Sequence, residues 1–176
     1  MTFRTRRLTS ALLSGLAVVS CTPALDWREV RPEASDIQAL MPCKPQPAER
    51  RVPLAGQAVK MHLSSCPAGG STWGLAFADM GDPARVGEGL SALQTSAASN
   101  IGARAGAVQA LEVPGATPQP LSGRTVLEGR LPDGQSMQMH VLVFARGTTV
   151  FQATVVGQTV ATEAAQTYFD SLRFPR

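Results

Sequence analysis

Residues 124–157, RTVLEGRLPDGQSMQMHVLVFARGTTVFQATVVG, decide the fold of this chain. Apolar and polar residues alternate along much of this stretch, as is typical of strands with one face turned inward. Pro-Asp-Gly at 132–134 and Arg-Gly-Thr at 146–148 are turn sequences, because proline presets φ and glycine accepts a left-handed backbone. They separate three predicted strands, Arg124–Leu131, Gln135–Ala145 and Thr149–Val156. Strands joined by such short turns pair antiparallel, so the stretch predicts a three-stranded meander.

A helical pattern flanks the meander on each side. Downstream, apolar residues at helical spacing predict a helix over Val160–Leu172. Upstream, they predict a helix over Pro83–Arg104, with Asp82 as N-cap and proline at its first position. Gly87 and Gly89 cost this upstream helix about 1 kcal/mol each relative to alanine. We therefore expect it to be stabilised by packing on the sheet.

Strand patterns continue toward the N-terminus. Val52–Leu54 and Val59–Ser65 predict a hairpin, and Thr72–Asp79 predicts the strand that follows it. Ile37–Pro42 is a short apolar run that its prolines restrict to a sheet edge. The remaining segments are a loop at Pro45–Arg51, a loop at Pro114–Pro120, and residues 106–113, which fit either a strand or irregular chain. The prediction is an α+β domain, an antiparallel sheet of about five to seven strands covered by two main helices.

The order of these elements carries a resemblance to a known fold. Strands, a long helix, a meander ending in VFQATVVG and a closing helix with Tyr168–Phe174 resemble the PsbP-like fold over residues 35–174. That family includes an extrinsic protein of photosystem II, a nuclear-import factor that binds Ran, and secreted or lipid-anchored bacterial proteins. The resemblance implies an α/β/α sandwich. It carries over no activity, because fold does not imply function.

The N-terminus has the pattern of a secretory signal. Arg4, Arg6 and Arg7 precede ALLSGLAVVSC at residues 11–21, an apolar run too short for the roughly 20 residues that span a bilayer. Its end resembles the lipobox of bacterial lipoproteins, which implies cleavage before Cys21 and lipidation of that cysteine. Later cleavage of a soluble protein after Ala24, or an uncleaved anchor, are the alternatives.

The chain therefore divides into a signal peptide at 1–20, a lipidated tether at 21–34 and one domain at 35–176. Thr5-Arg6-Arg7-Leu8 lacks the apolar residue usual in a twin-arginine signal, which favours general secretion. The lipoprotein resemblance, with Thr22 rather than aspartate after the cysteine, implies the periplasmic side of the outer membrane of a Gram-negative-type bacterium.

Charge excludes one class of partner. Three of the 16 basic residues lie in the signal and all 13 acidic residues follow it, so the mature chain is formally neutral. We therefore expect no binding to nucleic acid.

The other two cysteines, Cys43 and Cys66, form an even pair in an oxidising compartment, which predicts a disulfide. The alternative is a metal site that Cys66 and Cys43 form with His62.

No motif for catalysis or cofactor binding is present, and no cofactor is predicted. His62 and His140, with Met139, are weak metal candidates, since copper(I) prefers methionine sulfur and imidazole nitrogen. Alternation places the methionines of Met137–His140 on one strand face and the imidazole on the other, which favours core methionines and a polar outer face. Ser64 and Ser136 are the serines available for a hydrolase triad.

Arginines on or beside the strands form a possible binding surface for anions. They are Arg50, Arg51, Arg124, Arg130 and Arg146. The alternative is a solvated face in which they pair with Glu112, Glu128 or Asp133. Pro114–Pro120 is a possible docking loop.

We therefore expect a non-enzymatic lipoprotein, attached to the membrane through Cys21, that binds or assembles with an envelope protein. The alternatives are a metal- or small-ligand-binding lipoprotein and a hydrolase with an unrecognised site. A hydrolase requires a pocket that gathers a serine, a histidine and a carboxylate.

Overall fold

The computed structural model describes residues 25–104 and 106–175. Cys21 and the predicted signal lie outside this part of the chain. Within it, the strands are β1 (Arg28–Val30), β2 (Ala39–Met41), β3 (Gln46–Leu54), β4 (Gln57–Ala68), β5 (Ser71–Asp79), β6 (Gly123–Arg130), β7 (Ser136–Arg146) and β8 (Thr149–Gly157). The helices are α1 (Val86–Asn100), preceded by a 3-10 turn at Pro83–Arg85, and α2 (Thr162–Ser171). None of the described helices is both long and apolar enough to span a membrane.

The predicted α+β class is confirmed. Six strands form one antiparallel sheet in the order β3-β4-β5-β8-β7-β6, and β1 and β2 pair as a small second sheet. The predicted meander supplies β6, β7 and β8, which lie side by side.

Both faces of the main sheet are covered. On one face, α1 packs through Leu90 in a cluster that includes Val141 of β7 and Val150 of β8. On the other, α2 and the small sheet pack against Trp73, Phe144 and Phe151 among others. Because both faces of the central strands are buried, β7 is buried from Met139 to Ala145.

The start of the long helix is as predicted. The Asp82 carboxylate accepts a hydrogen bond from the backbone N–H of Ala84 at 2.9 Å, and Pro83 begins the 3-10 turn that leads into α1. A Cβ at Gly89 would lie 3.0 Å from the Met80 sulfur and 3.2 Å from Val150. Glycine therefore allows α1 to lie close to the sheet. The helix ends at Asn100, before the predicted Arg104, and Gly102 has a φ of +62°.

Two N-terminal segments also differ from the predictions. The predicted tether is wrong for residues 25–30, because Leu25, Trp27 and Val30 pack on the core and β1 pairs with β2. The predicted loop at Pro45–Arg51 is also wrong, since these residues lie mostly in the edge strand β3. Residues 106–113 form no named strand, and only Gln109 makes an isolated bridge, to Arg124.

Candidate binding groove

A groove opens beside the small sheet, where the chain after β1 passes β3 and β4. Its volume is about 460 Å³. Apolar side chains form most of its walls, with three prolines among them, and a few polar groups face one another across it. The apolar residues are Val30, Pro32, Pro45, Pro47, Ala48, Leu63 and Phe77, and the polar ones are Arg31, Glu33, Glu49, His62 and Ser64. An apolar cavity of this size with a few polar groups is typical of ligand sites.

His62 is the central polar group of the groove. Its ring stacks on that of Phe77, with centroids 4.8 Å apart and planes within 8°. Its Nδ1 lies 3.1 Å from Oε1 of Glu49, the residue opposite it in the β3–β4 ladder. The stacked ring and the carboxylate fix the imidazole in one orientation, while 22% of the side chain stays accessible to solvent.

Glu49 is held ionised by its surroundings. Its other carboxylate oxygen lies 2.7 Å from Lys60 Nζ, and this hydrogen bond is the main cause that lowers the pKa of Glu49. A carboxylate facing Nδ1 favours the tautomer with the proton on that nitrogen. In the neutral ring, Nε2 is then the acceptor.

Ser64 completes the polar set. It lies two residues after His62 on the same face of β4 and is 7% exposed. The groove therefore has a serine, a histidine and a carboxylate among its lining residues, the three residue types of a hydrolase triad. No hydrogen bond joins the Ser64 hydroxyl to His62 in the described part of the chain.

The other predicted ligands are not brought to this groove. His140 lies on β7, and two strands separate it from β4, which at about 4.8 Å per strand places the imidazoles at least about 14 Å apart. Met139 belongs to the core on the α1 side of the sheet. Among residues 25–104 and 106–175, no three His, Cys, Asp or Glu side chains form a metal-binding group. The structure thus does not bring His62, His140 and Met139 together.

His140 instead forms a buried pair with Arg124. It is 3% exposed, and Arg124 Nη2 donates to its Nδ1 at 2.8 Å. The same guanidinium lies 5.0 Å from the centre of the Phe169 ring and donates to Gln166 on α2. Burial, and then the nearby guanidinium, lower the pKa of His140. The methionines do face away from the imidazole as predicted, but the predicted polar outer face is wrong because α2 covers it.

The predicted disulfide is present, with the Cα atoms of Cys43 and Cys66 6.0 Å apart. It joins the chain after β2 to β4. The alternative of a metal site on these two thiols is therefore excluded.

The arginines form no continuous basic patch. Arg146 pairs with Asp36 at 2.7 Å and lies over the Phe174 ring, and Arg130 donates to the carbonyl of Gly134. Within residues 25–104 and 106–175, none of these arginines forms a salt bridge with Glu112, Glu128 or Asp133, the alternative that the sequence offered. Arg50 and Arg51 are exposed on β3.

The proline-rich loop at 114–120 lines a second cavity of about 470 Å³ with Phe144 at its wall. The loop is fixed at its start and at its middle, since Phe174 N–H donates to the Pro114 carbonyl and Thr117 N–H to that of Ala145. The loop therefore covers part of the core beside Phe144.

Sequence analysis missed the acidic partner of His62. Glu49 lies in the segment predicted to be a loop, and a loop has no register against β4. Three charged residues follow one another at 49–51 without alternation, and prolines flank them at 47 and 53, so this part of β3 has no local strand signal.

Comparisons with known proteins give no family. No protein-family model matches this chain, and no curated protein matches it. One solved structure, a crystal structure from Bacteroides thetaiotaomicron, aligns with 80% of this chain at 10% identity and a TM-score of 0.45. The chain spans 46% of that protein's length. This likeness is too low to support an argument.

Proposed function

We propose that this chain is a lipid-anchored envelope protein whose domain binds a segment of another envelope protein in the groove beside β1. The sequence supports the anchor, since a basic segment and a short apolar run end at Cys21. The Cys43–Cys66 disulfide agrees with a compartment outside the cytosol. The likeness of element order to the PsbP-like fold, with helices on opposite sheet faces, remains part of this proposal.

The observation that carries the binding role is the groove itself. Its proline and aromatic walls are rigid, so little conformational entropy is lost when a ligand orders against them. Glu33 and Glu49 place carboxylates at a mostly apolar surface, with Lys60 bound to Glu49 and the Arg31 guanidinium, which pairs with Glu29, also on the wall. We therefore expect an extended segment with apolar side chains and hydrogen-bonding groups that face Glu33 and Arg31.

A matched pair of prolines on β3 tests this role. Pro47 and Pro53 are both exposed and share one face of the strand, but only Pro47 lines the groove. A photo-cross-linking residue at Pro47 is expected to capture one envelope protein in intact cells, and the same residue at Pro53 to capture none. His62→Ala is expected to reduce the Pro47 adduct severalfold. Equal adducts at the two positions, or no adduct at Pro47, would contradict the proposal.

A second candidate function is hydrolysis, because Ser64, His62 and Glu49 line one groove. In this arrangement His62 removes the proton from the Ser64 hydroxyl, which attacks the substrate, while Glu49 orients the imidazole. A fluorophosphonate probe distinguishes the two functions. A hydrolase is expected to be labelled at Ser64, with the label lost in Ser64→Ala and weakened in His62→Gln, whereas a binding protein is expected to remain unlabelled.

A further inference from the structure

The first described residues lie at one end of the main sheet. Asp26 N–H donates to the Pro42 carbonyl at 2.8 Å, and the rings of Trp27 and Trp73 are 5.6 Å apart. Trp73 lies two residues from Ser71, where β5 begins. Leu25 therefore lies near the end at which β4 finishes and β5 starts.

The path of β2 gives the same orientation. The chain that contains β2 runs from Asp36, which pairs with Arg146 at one end of the sheet, to Cys43, which is bonded to Cys66 near the other. Because β1 is antiparallel to β2, β1 starts at the second of these ends. We call this the disulfide end.

The connections at the disulfide end carry little charge. They are the β4–β5 turn at Gly69–Gly70, the segment 158–161 between β8 and α2, and the turn 131–135 between β6 and β7. Residues 67–78 and 147–162 contain no charged side chain, and the third connection contains only Asp133. An exposed lysine, Lys44, follows the disulfide cysteine directly. Other charged side chains near this end are of both signs, with Asp26, Asp133 and Glu163 beside Arg28 and Arg130. The end therefore has no strong charge of one sign that would repel a neutral headgroup surface.

We infer that the disulfide end rests against the lipid headgroups of the membrane. The inference depends on the proposed lipidation of Cys21. Only Thr22, Pro23 and Ala24 separate that cysteine from Leu25, and a chain extends at most about 3.6 Å per residue. Leu25 then lies within about 14 Å of the lipidated residue. The headgroup layer on one side of a bilayer is roughly 5–8 Å thick. A linker this short cannot separate the domain from the membrane. The disulfide end of the domain therefore contacts the surface of the bilayer.

The groove remains accessible in this orientation. His62 and Phe77 each lie four residues along their strands from the row of Cys66 and Trp73, a distance of about 14 Å. His62 and Phe77 therefore lie above the headgroups, while Pro45 places one edge of the groove near the disulfide end, within reach of other proteins attached to the same membrane.

Two exposed alanines provide the test. Ala161 lies at the disulfide end, and Ala58 lies at the opposite end of β4. Each is replaced in turn by p-benzoylphenylalanine in the full-length protein, purified from membranes and placed in phosphatidylcholine vesicles with one-fifth phosphatidylglycerol. After irradiation, mass spectrometry measures phospholipid adducts. We expect adducts at position 161 at least fivefold above those at position 58. Insertion of twelve Gly/Ser residues after Ala24 is expected to reduce the adducts at 161 severalfold.

Equal adducts at the two positions, more adducts at 58, or an undiminished yield with the inserted linker would overturn this orientation. Mass analysis of the peptide that contains Cys21, in the same samples, separates the two levels of the argument. A lipidated Cys21 without preferential adducts at 161 rejects the orientation alone, whereas an unmodified Cys21 rejects the lipoprotein proposal.

Discussion

The buried pair of Arg124 and His140 is the clearest single-residue feature of this domain. Arginine only donates hydrogen bonds, so His140 Nδ1 must accept and the neutral ring carries its proton on Nε2. Gln166 accepts from the guanidinium and donates to both carboxylate oxygens of Asp170 at 2.8 Å. This chain of side chains connects β6 and β7 to α2.

The pair predicts a loss of stability in mild acid. The pKa of His140 is lowered in the folded protein, so as pH falls below about 6.5 the unfolded chain binds the proton first. The free energy of unfolding is therefore expected to decrease from about pH 6.5 down to the pKa of the folded state, and to receive no contribution from this group at higher pH. Urea unfolding between pH 7.5 and 5 measures the effect.

A substituted protein isolates the contribution of His140. In His140→Gln this part of the pH dependence is expected to disappear, while His62→Gln, which leaves the Arg124 pair intact, is expected to retain it. An unchanged pH dependence in His140→Gln would show that the pair does not determine acid stability.

Among the secondary-structure elements, those with a clear local sequence pattern could be predicted, whereas the edge strand β3 could not. The meander, the capped helix and the central hairpin have local signals, namely alternation, turn residues and an N-cap. β3 has Pro47 and Pro53 and alternates weakly, and it is a strand because β4 offers it a full ladder. Proline is compatible with an edge strand when its missing N–H faces away from the partner.

The crossing of α1 and β6 predicts contrasting effects of two glycine substitutions. A Cβ at Gly129 would lie 1.9 Å from the Ile101 carbonyl oxygen, whereas at Gly87 nothing lies within 4 Å. Gly129→Ala forces the backbone apart and is expected to lower the free energy of unfolding by about 2 kcal/mol or more. Gly87→Ala is expected to raise it by up to about 1 kcal/mol through helix propensity. Chemical denaturation compares the two proteins; equal effects would refute the close approach of these backbones.

The disulfide that connects the chain after β2 to β4 is expected to contribute to the free energy of unfolding. It closes a loop of 23 residues. Its removal in the double variant Cys43→Ser/Cys66→Ser is expected to lower the free energy of unfolding by about 3 kcal/mol on the chain-entropy model. Thermal unfolding with and without reductant measures this loss. The reduced wild-type protein is expected to resemble the variant, and a reductant effect that persists in the variant would argue against this assignment.

For the whole molecule, the α+β fold class and the two helices that cover the sheet could be predicted from the order of strand and helix patterns along the sequence. The second small sheet could not, because β1 and β2 have only three residues each and pack on core residues that are distant in sequence, such as Trp73 and Tyr168. For the same reason, Leu25, Trp27 and Val30, which were assigned to a tether, pack on the core. The groove arises from these long-range contacts, so His62 was identifiable as a candidate while its partner Glu49 was not.

The whole-molecule account depends most directly on the state of Cys21. The decisive measurement is the mass of the N-terminal peptide of the mature protein, purified from the membranes of cells that produce the full chain. We predict a peptide that begins at Cys21 and carries a diacylglyceryl group on its sulfur. A chain that begins after Ala24, or an unmodified Cys21, would contradict the account.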